Sequence, residues 1–112
     1  KLLKFTTMAF TGNEGEMVPL DQAAEWTANY RNSDHFDGVN AMFYGKNKLM
    51  SLLNQRGCVG IRIYKAIDEK GNPIMVLVGA DSNQNDMTGQ YILERGFGCP
   101  PYCDGNGSPL MG

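Results

Sequence analysis

Between Val59 and Ile67 the apolar residues Val59, Ile61, Ile63 and Ile67 share one parity and oppose Gly60, Arg62, Tyr64 and Ala66 on the other. Side chains alternate across a strand, so a period of two rich in β-branched residues specifies a strand with one dry face. Asp68-Glu69-Lys70-Gly71-Asn72 supplies turn chemistry, and Pro73 to Ala80 is then apolar on both parities, as a strand covered on both faces should be. The two segments predict a hairpin. After the polar stretch Asp81 to Asp86, Gln90 to Glu94 reads as a third strand that extends the hairpin into an antiparallel meander.

Upstream the period changes to that of helices. Leu20, Ala23, Ala24, Thr27 and Tyr30 recur at spacings of three and four, with Pro19 suited to a helix start and Asp21 to the positive end of the dipole. A helix is expected over Leu20 to Asn32, with Trp26 covering the edge of the core. Leu49, Met50, Leu52 and Leu53 mark a second helix from Lys46 to Gln55, stopped by Gly57. Val39, Ala41 and Phe43 alternate as a short strand would, and Leu2 to Phe10 is strand-like before the polar break at Thr11 to Glu16. Pro100, Pro101 and Pro109, with Gly105 and Gly107, make residues 99–112 an irregular tail. The expected fold class is α+β, two helices packed on a three- or four-stranded antiparallel sheet. All 112 residues form a single domain in this reading, with residues 1–17 loosely attached.

Composition narrows the function classes. Ten Lys and Arg against twelve Asp and Glu leave a formal charge of −2, without the basic excess that nucleic-acid binding requires. The apolar run Ile74 to Ala80 is far short of the ~20 residues of a membrane-spanning helix. Lys1-Leu2-Leu3-Lys4 opens like a signal peptide, but Thr6, Thr7 and Thr11 interrupt the apolar region it would need. A cytoplasmic domain is expected, with room for an upstream leader because the chain begins with Lys.

The segments Glu25-Trp26-Thr27-Ala28-Asn29-Tyr30-Arg31, Gly57 to Tyr64, Val76 to Asp81 with Asn85-Asp86, and Cys99-Pro100-Pro101-Tyr102-Cys103 resemble a group of short uncharacterised proteins of Bacteroidetes-type bacteria. The resemblance covers residues 18 to 104 and implies no activity.

Four groups of residues could carry chemistry. Cys99 and Cys103, with Cys58 as a third donor, offer soft thiolate ligands for a metal or a redox pair; the plainer reading is two packed cysteines or a local disulfide. Asp81, Asn83 and Asn85 place oxygens at positions one, three and five of a calcium-like loop. Asp86 stands where that loop needs Gly, and Ile92 where it needs Glu, so Asx-turn chemistry competes. His35, with Asp34 and Asp37 beside it, could titrate near neutral pH, and every His-dependent mechanism of this chain must use it. Arg62 and Tyr64, on the polar parity of the strong strand, could bind an anion or an aromatic ligand. No catalytic constellation is complete and no cofactor is specified, so the reading leans away from an enzyme. The expected function is a small non-catalytic binding or protein-interaction module whose partner is a second copy or another protein. The alternative is a thiol-dependent metal-binding or redox protein using the Cys-Pro-Pro-Tyr-Cys loop.

Overall fold

A computed structural model describes residues 9–111. Most of the strand-like stretch Leu2 to Phe10, and the first eight residues of the amino-terminal segment, lie outside the described residues. The elements in chain order are α1 (Leu20–Arg31), β1 (Ala41–Phe43), α2 (Lys46–Leu53), β2 (Cys58–Ile67), β3 (Pro73–Asp81), β4 (Ile92–Leu93) and β5 (Phe97–Cys99). Strands β2, β3 and β4 form one sheet in that order, and β1 and β5 form a second, antiparallel pair. The class is α+β, with two helices and two small sheets. No helix among the described residues is long and apolar enough to cross a membrane.

The hairpin follows from local chemistry. Asp68 closes the turn by accepting the backbone N–H of Lys70 at 2.9 Å and of Asn72 at 2.8 Å, while Gly71 takes a positive φ of 84°. The third strand is shorter than expected, two residues rather than five, and pairs Leu93 with Leu77 and Ile92 with Val78.

The described residues group into two compact units, and the hairpin strands run through both. The first unit takes residues 9–15, 46–64 and 76–94. Here α2 packs on the sheet, and Leu52, Leu77, Val78 and Ala80 are buried. Gly79 permits the close approach: a Cβ there would stand 2.8 Å from Gln55 Nε2 and 3.0 Å from Cys58 Sγ. Helix α2 ends near Leu53 rather than Gln55, and Gly57 with φ 89° turns the chain into β2.

The second unit takes residues 16–45, 65–75 and 95–111. Helix α1 ends at Arg31, one residue before the expected end, with Asn32 as a cap whose N–H reaches Ala28 O. Strand β1 does not join the larger sheet; Ala41, Met42 and Phe43 pair with Cys99, Gly98 and Phe97. Gly96 fits beneath Tyr44, whose ring carbons would lie 2.6 Å from any added Cβ, and the Tyr44 hydroxyl donates to Met75 O at 2.6 Å. Past Cys99 the described residues form no further helix or strand, yet Arg31 donates to Leu110 O at 2.7 Å and the Met111 sulfur lies 3.5 Å from Cys99 Sγ.

One expectation fails along β2. Ile63 is 59% exposed and Ile67 74%, although they share parity with Val59 and Ile61. A shared parity sets the face on which residues lie, not whether that face is covered. Trp26, expected at the edge of the core, is exposed and borders a small cavity of about 270 Å³ beside Tyr30, Asn40 and Leu110.

Candidate functional site

Immediately after α1 the chain is folded back by side-chain caps. Ser33 Oγ donates to Tyr30 O at 2.8 Å and accepts the His35 N–H at 3.1 Å. The Tyr30 hydroxyl donates to Asp37 Oδ1 at 2.7 Å and accepts the Asp37 N–H at 3.1 Å, and the same carboxylate oxygen takes the Val39 N–H at 3.0 Å. Phe36 meets the Tyr30 ring edge to face, with centroids 5.5 Å apart. The Tyr30 hydroxyl, then the Val39 N–H and the charge of Lys65, hold the Asp37 carboxyl below the ordinary carboxylate range, and Asp37 in turn pushes the Tyr30 phenol up.

These residues border the larger cavity of the second unit, about 700 Å³, within the range of small-molecule sites. Val39, Met42, Ile74 and Met75 give it apolar walls, and Tyr30, His35, Asp37, Asn40 and Lys65 supply its polar groups. Asn40 Oδ1 is buried and has no hydrogen-bond partner among the described residues. Such an acceptor costs roughly 1–3 kcal/mol while it stays unpaired, and its surface is closed to the cavity as the side chain stands.

Arg62 and Tyr64 lie in the first unit and are brought together with Asp86 rather than with His35, which belongs to the second unit. Arg62 Nη1 donates to Asp86 Oδ1 at 2.6 Å and to Gln84 O at 3.1 Å, and the Tyr64 hydroxyl donates to Asp86 Oδ2 at 2.5 Å. Phe10 lies against the guanidinium, its centroid 5.4 Å from Cζ. The Tyr64 hydroxyl, then Arg62, keeps the Asp86 carboxyl low, while Asp86 raises Tyr64 and Arg62. The trio satisfies itself: it clasps the loop after β3 onto β2, and both basic and phenolic donors are committed inside the protein.

In that loop Asp81 Oδ1 accepts the N–H groups of Asn83 and Asn85 at 2.9 and 3.0 Å, and Gln84 adopts a φ of 71°. This is Asx-turn geometry. Asp86 faces Arg62 and Tyr64, away from the convergent arrangement a calcium loop requires. Cys99 and Cys103 are joined by a disulfide with Cα atoms 4.7 Å apart, so neither sulfur is a thiolate ligand in this state. Cys58 is a thiol in the other unit, its Sγ 3.2 Å from Gly60 O. Among the described residues no group of three or more His, Cys, Asp or Glu could hold a metal ion.

An aromatic cluster escaped the sequence reading. Phe43 and Phe97 face each other across β1 and β5, and Tyr102 stacks on Phe97 with centroids 4.8 Å apart. All three are more than half exposed, at 64%, 54% and 61%. No period in the sequence links residues so far apart; the pairing of β5 with β1 creates the patch. The Asn40 acceptor was likewise overlooked, because a single Asn before a short strand carries no signal of burial.

No protein-family model, curated protein or solved structure matches the chain.

Proposed function

We propose that the protein is a small non-catalytic binding module and that the cavity bordered by Tyr30, Asp37, Asn40 and Lys65 receives its ligand. The observation that carries this reading is a largely apolar cavity of ligand size with Tyr30, Asp37 and Lys65 at its border. A module that binds rather than reacts needs apolar area for affinity and a few fixed polar atoms for orientation, and the Tyr30–Asp37 link fixes two of them. Saturation-transfer NMR against a set of small amphipathic molecules tests this, using Ile74→Trp to fill the cavity. Binding to the native protein that the filled variant loses is expected. Binding retained in full by a folded Ile74→Trp variant would remove the cavity from the account.

A second reading, a thiol-dependent redox protein, draws on the Cys99–Cys103 disulfide. Cys99 is buried, whereas Cys103 is partly exposed and would be the sulfur an external thiolate attacks. Trapping a mixed disulfide at Cys103 with a small thiol supports that reading; a bond resistant to glutathione at physiological ratios opposes it.

A further inference from the structure

The polar groups of this cavity carry charges of both signs. Asp37 is held ionised by Tyr30 and Val39, and Lys65 is near enough for its charge to be felt at Asp37, yet the two do not close into an ion pair. Opposite charges that border one cavity without neutralising each other leave a gap that a dipolar group can span. Met42, Ile74 and Met75 offer apolar surface to a ligand body.

We propose that this cavity takes a small zwitterion of the amino-acid type with an apolar side chain. Its ammonium is set toward Asp37, its carboxylate toward Lys65, and its side chain against Met42 and Ile74. The assignment rests on the binding-module reading and names the ligand class for that site. A purely anionic ligand would meet the Asp37 carboxylate. A purely cationic one would meet the Lys65 ammonium. A neutral apolar molecule would fill the walls and leave both charges unused.

The test uses three probes that share one side chain: phenylalanine, N-acetylphenylalanine without the ammonium, and phenylalanine amide without the carboxylate. Each is titrated by NMR and followed at the methyl groups of Ala41, Ala66 and Ile74. Because Asp37 and Lys65 are solvent-accessible, each charge contact is worth a modest factor, and phenylalanine is expected to bind at least ~3-fold tighter than either relative. Asp37→Asn should erase the advantage over the N-acetyl form and keep that over the amide; Lys65→Met should do the reverse. If Asp37→Asn fails to fold, the exposed Lys65→Met variant alone decides the charge assignment. Equal affinity for all three probes, still mapping to the cavity, overturns the zwitterion while leaving the binding module standing. Binding of none of them also overturns it, and the filled-cavity experiment then judges the binding reading separately.

Discussion

Replacing Asn40 by Leu should make the protein more stable. The backbone role is untouched, since the Asn40 N–H donates to Cys99 O at 2.7 Å whatever the side chain. The side-chain oxygen is buried without a partner, a defect of roughly 1–3 kcal/mol relative to a satisfied or apolar group. Leu has the same number of side-chain heavy atoms with the same branching and removes that penalty, although its two methyl groups make it bulkier than the amide. Imperfect fit of its branched end offsets part of the gain, leaving a net stabilisation of about 1–2 kcal/mol. For a chain of 112 residues this corresponds to a rise in Tm of about 4–8 °C, readable by calorimetry or circular dichroism. A drop in Tm on Asn40→Leu would refute the reasoning, because it would mean that the amide oxygen is already satisfied in solution.

Three further outcomes follow from the clasp, the helix contact and the disulfide. The Asp86 carboxyl is depressed in the folded state, so its contribution is present above the ordinary carboxylate range and lost as pH falls through the lowered value; Asp86→Asn should flatten the acid limb of Tm against pH, though only partly, because Asp37 and Asp68 are also depressed. The raised Tyr64 phenol works in the opposite direction, its contribution fading as pH rises through the raised value, so the same variant should also soften the alkaline limb. Gly79→Ala should cost about 1–3 kcal/mol in urea denaturation, because the new methyl meets Gln55 Nε2 and Cys58 Sγ; an unchanged midpoint would mean that α2 does not press on β3. Replacing Cys99 and Cys103 by Ser should cost about 2 kcal/mol and speed amide exchange at Asn40, whose N–H bonds to Cys99 O, while leaving exchange at Leu77 and Val78 unchanged.

Much of the hairpin was legible because its signal is local. The alternation from Val59, the Asp68 to Asn72 turn and the two-sided apolar run of β3 each specify their own conformation, and the observed strands begin and end within a residue of the expected limits. Both helices were legible for the same reason. What the sequence concealed is long-range. The pairing of Phe43 with Phe97 depends on two three-residue strands separated by about half of the chain, and strands that short carry too few residues for a period. The exposure of Ile63 and Ile67 was hidden because alternation reports which residues share a face, not whether a neighbouring element covers it. Among the candidate residues, Arg62 and Tyr64 were correctly placed side by side on one strand face, but their partner Asp86 had been read as part of a calcium-like loop. His35 and Asp37 do border one cavity, and the chemistry that organises them comes from Tyr30, which the helix pattern marked as an apolar-face residue.

The central claim is that the cavity of the second unit holds a small ligand. Its most direct test is a search for intermolecular NOEs between phenylalanine, added in excess, and the methyl groups of Met42, Ile74 and Met75. The account predicts contacts from the aromatic ring protons to those methyls, lost on Ile74→Trp. Contacts confined to the exposed ring cluster of Phe43, Phe97 and Tyr102, with none in the cavity, would contradict it.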